Sequence, residues 1–290
     1  ELNLVIKLLN PKVLIRNNEI NLSKLDLFLS LKSFIGSDFF LKRAEVAFIR
    51  NDIKDITKIT GIFLPKIINK QLNKIFKKGN LEGEFVIPFT SDGSIAKNYG
   101  FSGKISNASI KFTNEFYIEN LTAKISHARG SEGEDFKLIV NEGFTNELEL
   151  AESKIELKRE KKLTSIKSLI KTNGKLNFIQ IKKISSLFNL DINNFKDING
   201  TVNLKTNVNF DLNNKFRIKN LFYSTEGNID DFEVHTEENK FIKKYLPKYS
   251  SKIVFKDTNI KFTNSKSSHT GEFNGFIKKQ DKLDSFKIKE

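Results

Sequence analysis

The segment "TVNLKTNVNFDLN" at 201–213 limits what this chain can become. Every even position from Val202 to Leu212 is apolar or Thr: Val202, Leu204, Thr206, Val208, Phe210 and Leu212. The odd positions between them are polar: Asn203, Lys205, Asn207, Asn209 and Asp211. Successive side chains of a strand point to opposite faces, so the run predicts a β-strand with one dry and one wet face. At about 3.3 Å per residue it spans about 36 Å, roughly twice an ordinary strand. Such a dry face needs a cover.

The same period recurs along the chain. Leu25, Leu27, Leu29 and Leu31 alternate with polar neighbours, with Phe28 the exception. Ala44, Val46 and Phe48 repeat the pattern, as do Phe85, Ile87 and Phe89. Ala108, Ile110 and Phe112 follow it, then Leu121, Ala123 and Ile125, and finally Ile260 and Phe262. Turn signals at Asn17-Asn18, Ser91-Asp92-Gly93, Asn213-Asn214 and Asn264-Ser265 separate the runs. One-sided strands of this kind imply antiparallel sheet.

Three stretches break the period. After Asp52, residues Ile53, Ile56, Ile59 and Phe63 have helical spacing, and Pro65 opens a second helix through Ile67, Ile68, Leu72, Ile75 and Phe76. Lys77-Lys78-Gly79 suits the end of that helix, with cations in the last turn and Gly beyond it. Ile181, Ile184, Leu187 and Phe188 predict another helix, and Phe241, Ile242, Tyr245 and Leu246 a third helical region ending near Pro247. The expected fold is mostly β, with long antiparallel strands and a few short helices too small to roof the sheet.

Weak internal echoes accompany the strands. "GNLEGEFVIPF" resembles "KDINGTVNLKT", "GKISNASI" from Gly103 resembles "GNIDDFEV" from Gly227, and "ASIKFTN" at 108–114 resembles "TNIKFTN" at 258–264. They suggest a long repeat, with units of roughly 1–126 and 127–290, and stacked repeats make elongated proteins.

Composition supplies little chemistry. Cys is absent, which removes disulfides and thiolate sites without fixing a compartment. His127, His235 and His269 lack partners at metal-ligand spacing, and Asp52 and Asp55 read as helix-opening carboxylates. "RGSEGED" at 129–135 has neither phosphate-loop nor calcium-loop spacing and reads as a solvated loop. No cofactor and no enzymatic site are expected. The net charge of +14 suits an anionic partner, although an excess of Lys, Asn and Ile produces the same charge without one. The lysine pairs are dispersed and most Phe sit on the dry parity, which argues against a nucleic-acid reader. The chain begins at Glu1 and contains no Met, so we expect it to be a piece of a longer protein, with any address or anchor outside it.

Hydrophobic residues make up 38% of the chain. The dry faces therefore either close on one another as a β-sandwich, acting as a scaffold or interaction domain without lipid, or curl into a trough that holds an apolar ligand. "NPKVLIRNNEINLSKLDLFLSLKSFIGSDFFLKRAEVAFIRNDIKDI" resembles the strand pairs of the AsmA and TamB-like proteins of Gram-negative bacteria. The helices followed by "LEGEFVIPF" and "INGTVNLKT" are similar to that family's helix–Gly–hairpin units. The resemblance implies a curled, taco-like β-groove in the periplasm, anchored to the inner membrane by a segment outside this chain. Phospholipid acyl chains would pass along it between the inner and outer membranes, with the membrane surface and envelope proteins at its ends as partners. The family has no catalytic motif to carry over. The residues expected to line the groove are Leu25, Leu27, Leu29, Leu31, Phe85, Ile87, Ile110, Phe112, Val202, Leu204, Val208, Phe210 and Leu212.

Overall fold

Alternation becomes strand almost throughout. The computed structural model describes residues 3–15, 18–30, 41–60, 73–111, 117–130, 133–160, 163–187, 195–213, 215, 217–236, 251–265, 268–279 and 282–289. The chain is mostly β, and its described residues form an antiparallel sheet of sixteen strands in which sequence neighbours are usually hydrogen-bonded neighbours. They are β1 (Asn3–Leu9), β2 (Lys12–Ile15), β3 (Asn18–Ser30), β4 (Leu41–Asp52), β5 (Phe76–Pro88), β6 (Gly100–Lys111), β7 (Tyr117–Arg129) and β8 (Gly133–Thr145). There follow β9 (Leu148–Glu149), β10 (Lys154–Glu160), β11 (Leu163–Asn177), β12 (Phe195–Asn213), β13 (Ile218–Thr236), β14 (Lys252–Ser265), β15 (Ser268–Lys279) and β16 (Lys282–Lys289). Helix α1 (Ile53–Thr60) follows β4, and α2 (Phe178–Leu187) follows β11.

The chain divides into two units. Unit 1 comprises Glu1–Phe144, Glu152–Ile166 and Asp211–Arg217; unit 2 comprises Thr145–Ala151, Lys167–Phe210 and Ile218–Glu290. In unit 1 the strand order is β1-β3-β4-β5-β6-β7-β8-β10, with β2 also on β3. Helix α1 starts where the sequence places it: the Asp52 Oδ1 accepts from the Lys54 N–H at 2.7 Å, satisfying a free donor of the first turn. Its Ile53 and Ile56 are buried, and the helix packs on β3, β4 and β5.

Other expectations are corrected. Lys77-Lys78-Gly79 does not end a helix, because β5 already begins at Phe76. Gly79 has φ +141°, and a Cβ there would lie 2.7 Å from the Cβ of Ala108, so the glycine answers to a neighbouring strand and not to a helix terminus. The solvated-loop reading of "RGSEGED" is corrected at its flanks, where Arg129 ends β7, Gly133 opens β8, and the Gly130 N–H donates to the Gly133 carbonyl at 2.9 Å; 131–132 lie outside the described residues. The helix expected from Pro65 to Phe76 lies largely outside the described residues, of which 73–75 are helical and Phe76 is already strand; that at Phe241–Leu246 lies wholly outside them.

Left-handed Asn and Asp residues interrupt the long strands at bulges. Asn107 (φ 51°) sits in β6 where the ladder steps from Ile105–Ala123 to Ala108–Leu121, and Asn120 (φ 51°) sits in β7. Asn and Asp tolerate this conformation better than other side chains, and each extra residue bends its strand and increases its twist. In unit 1, Gly79, Ala108, Leu121 and Gly143 neighbour one another across β5–β8 at this level. In unit 2, Asp231 is left-handed (φ 47°), Asp257 (φ 42°) sits at the bulge where β14 steps along β15, Gly200 abuts Phe232, and Gly275 abuts Thr258. The echoed segments thus share local geometry: Asn107 matches Asp231 in one pair, and Asn107 and Asp257 precede the start of the other.

In unit 2, β11-β12-β13-β14-β15-β16 follow in order, with β9 on β11. Helix α2 opens with a reciprocal cap: the Gln180 N–H donates to Asn177 Oδ1 at 3.0 Å, and the Asn177 N–H to Gln180 Oε1 at 2.7 Å. β12 alternates as expected through Leu204. From Thr206 onward both parities are half-buried, so Asn207, Asn209 and Asp211 do not form an open wet face. Asp211, which with Ser165 belongs to unit 1, is held by the Ser165 hydroxyl, which donates to Oδ1 at 2.7 Å.

Candidate apolar lane

Residues paired across antiparallel strands share a face, so the register of unit 1 shows directly what lies beside what. One rung runs Leu8–Leu25–Val46–Phe85–Phe101–His127–Phe136–Leu157, across β1, β3, β4, β5, β6, β7, β8 and β10. At about 4.8 Å between strands this is a path of about 34 Å. The next is Leu22–Phe48–Gly83–Gly103–Ile125–Leu138–Ile155, and beyond it Leu81–Ile105–Ala123–Val140. On the other side lies Ile6–Leu27–Ala44–Ile87. His127 is the one polar side chain in these four rungs.

The opposite face is ionic. Lys24 pairs with Asp26 at 2.8 Å and Glu45 at 3.6 Å, Arg43 with Glu45 at 2.9 Å, and Lys154 and Lys137 with Glu156 at 2.6 and 3.7 Å. The Lys154 hydrogen bond, then the nearby lysine charges, hold the Glu156 carboxyl below its ordinary range. Phe28, the exception to alternation, lies on this side, with the Arg43 guanidinium 4.1 Å from its ring centroid.

Burial grades along the apolar face. Leu22, Phe48 and Leu81, on the strands that carry α1, are buried, as are Ile105, Ala108, Leu121 and Ala123. Leu25, Leu27, Val46, Phe85, Ile87, Phe101, Phe136 and Leu157 are half-buried, and Leu4, Ile6 and Leu8 of β1 are exposed. Phe48, Phe85 and Phe101, from β4, β5 and β6, cluster as a triangle, with centroid separations of 6.0 Å (Phe48–Phe85), 4.5 Å (Phe85–Phe101) and 6.1 Å (Phe48–Phe101). The Phe101 ring lies over the paired Gly83 and Gly103, where a Cβ would meet it at 2.8 and 2.7 Å, so the floor there is flat and aromatic.

Of the expected lining residues, Leu25, Leu27, Phe85 and Ile87 are together on this half-buried face. Leu29 and Ile110 belong to the buried core, Ile110 pairing with Phe76 and Ile118. Leu31 and Phe112 lie outside the described residues. In unit 2, Val202 is buried, and Leu204, Val208 and Phe210 are half-buried, as is Leu212 of unit 1. Unit 2 has its own face: Gly227–Ile260–Phe273–Ile288 form a rung in which Phe273 and Ile288 are exposed.

One polar set escaped the sequence reading. Two residues beyond His127, Phe136 and Leu157, on the same face, stand Arg129, Glu134 and Arg159, which are mutual register partners. The Arg129 N–H donates to the Tyr99 carbonyl at 2.9 Å, which brings Tyr99 into the same rung. Arg129 Nη1 donates to the Tyr99 Oη at 3.3 Å, and its Nε lies 3.5 Å from Glu134; Arg159 Nη1 lies 4.0 Å from the same carboxylate. The Tyr99 hydrogen bond, with a smaller contribution from the Glu134 charge, raises the Arg129 pKa.

No family model, curated protein or solved structure matches the chain. Among the described residues, no three His, Asp or Glu side chains gather as a metal site. None of the helices there is long and apolar enough to cross a membrane.

Proposed function

We propose that this chain is a non-catalytic carrier whose unit 1 holds the acyl chains of phospholipids on its apolar face. The reading assigns it to a periplasmic lipid path between membranes, as the AsmA and TamB-like resemblance implies. The observation that carries it is the eight-strand rung from Leu8 to Leu157, apolar but for His127, half-buried for most of its length and backed by an ionic face. Acyl chains suit such a lane, which offers continuous contact without shaped hydrogen-bonding pockets. A buried methylene contributes about 0.8 kcal/mol, so a sixteen-carbon chain gains on the order of 10 kcal/mol. Within unit 1 the described strands belong to one sheet, which favours an open lane over a sandwich of two sheets.

Native mass spectrometry of gently purified protein should show bound acyl lipid, and Phe85→Asp should lose it while keeping the wild-type circular dichroism spectrum. The side chain is half-buried, so a carboxylate there can hydrate instead of unfolding the sheet. Lipid bound as before in Phe85→Asp, or none in the wild type, refutes the lane.

A further inference from the structure

Over β6–β10 the apolar rung is flanked by a cationic one, which gives that side of the lane a polar edge. From Phe101, His127, Phe136 and Leu157 the same face continues, one rung on, to Tyr99, Arg129, Glu134 and Arg159. Two guanidiniums thus share one carboxylate. A guanidinium has five N–H donors in a planar fork, and Arg159 meets only Glu134 among the described residues, at 4.0 Å. Arg129 uses the Tyr99 oxygen as an acceptor, which leaves the phenol O–H free to donate. His127, its ring centroid 5.6 Å from that of Tyr99, borders the set on the apolar side. The rung carries a net positive charge, is half-exposed, and presents unused donors next to an aromatic floor.

We propose that Tyr99, Arg129 and Arg159 form a headgroup site for a phosphate-bearing amphiphile whose alkyl chain lies along Phe101 and Phe85. This rests on the acyl-chain reading and adds to it the chemistry of the polar end. The phosphate oxygens accept from both guanidiniums and from the Tyr99 hydroxyl. Planar two-point donation to phosphate is what Arg provides and Lys does not. Glu134 spaces the two arginines, and its negative charge keeps the site from holding the headgroup permanently.

The test uses the full chain and three detergents with the same alkyl chain below their micelle concentrations: dodecyl phosphate, dodecyl maltoside and dodecyltrimethylammonium. Dodecyl phosphate should bind wild type about tenfold more tightly than dodecyl maltoside, as one or two charge-assisted hydrogen bonds at a half-exposed site supply. Arg129→Gln and Arg159→Gln should each remove most of that advantage while leaving the maltoside Kd unchanged. Arg159, exposed and among the described residues touching only Glu134, supplies a variant that folds even if Arg129→Gln does not. Equal binding of the three detergents overturns the headgroup site and leaves the lane standing, as does a phosphate preference that survives both substitutions. Failure of all three to bind folded wild type removes the lane, and the headgroup site with it. Inorganic phosphate that displaces dodecyl phosphate at equal concentration overturns the lipid assignment in favour of a free-phosphate site.

Discussion

Replacing Gly79 by Ala should destabilise unit 1 by about 2–4 kcal/mol, and the structure separates two causes. The first is conformational: Gly79 has φ +141°, a region costing other residues about 1–3 kcal/mol. The second is steric. The new Cβ would sit 2.7 Å from the Ala108 Cβ and 2.8 Å from its Cα, where carbon contacts normally rest at about 3.5–4.0 Å. Ala108 is fully buried, and overpacking of this kind costs about 1–3 kcal/mol. The lower unfolded-state entropy of Ala offsets about 0.4–1 kcal/mol. Two controls isolate the terms. Gly93 (φ +80°) has nothing within 4 Å, so Gly93→Ala measures strain alone; Gly130 is open and free of positive φ, so Gly130→Ala should be near neutral. Urea unfolding followed by circular dichroism gives the three values. Ala108→Gly, made in the Gly79→Ala background, should cost at least about 1 kcal/mol less than in wild type, because it relieves the overlap. A Gly79→Ala protein as stable as Gly130→Ala, or a cycle with no coupling, would falsify the close approach of β5 and β6 at this level.

Two further outcomes are expected. Leu121→Ala removes a side chain that is 1% exposed and should cost about 2–5 kcal/mol in the same urea assay, while Leu14→Ala, 69% exposed, should change little. Glu233 is held below the ordinary carboxyl range, first by its hydrogen bond with His235 and then by Lys252 at 2.7 Å. A depressed carboxyl contributes stability above its unfolded pKa and loses it as pH falls through the folded value, so thermal stability should drop below about pH 4. Glu233→Gln should flatten that acid loss, and an unchanged acid profile refutes the assignment.

The strands were legible because alternation is a local property. Leu25, Leu27, Leu121 and Ala123 declare their face from their immediate neighbours, and Asp52 declares the start of α1. What local pattern could not supply was register. Lys77-Lys78-Gly79 has the composition of a helix end, yet Gly79 is dictated by Ala108, about thirty residues away. The bulge at Asn107 shifts parity, so that Ile105 and Ala108 share a face despite odd spacing. Phe28 looked like noise until Arg43, on the next strand, came over its ring. Tyr99, Arg129, Glu134 and Arg159 lie on separate segments, and only pairing aligns them. The available hint was parity, since Arg129 continues Ala123, Ile125 and His127 at a spacing of two. The cap of α2 was readable in Asn177-x-x-Gln180, had the pattern been sought.

The strand order in unit 1 also bears on how the sheet is made. From β4 to β8, each strand pairs with the one before it in the unit. Loop closure for such neighbours is entropically cheap, so the sheet can grow hairpin by hairpin as the chain emerges from the ribosome. At every stage of that growth the newest strand is an unpaired edge, and the apolar rung it extends ends in open water. A nascent sheet of this kind is adhesive along one moving border until its successor arrives. Synthesis that stalls between β5 and β6 leaves Phe48 and Phe85 at that border without Phe101 beside them, and this is where a holding chaperone would be needed most.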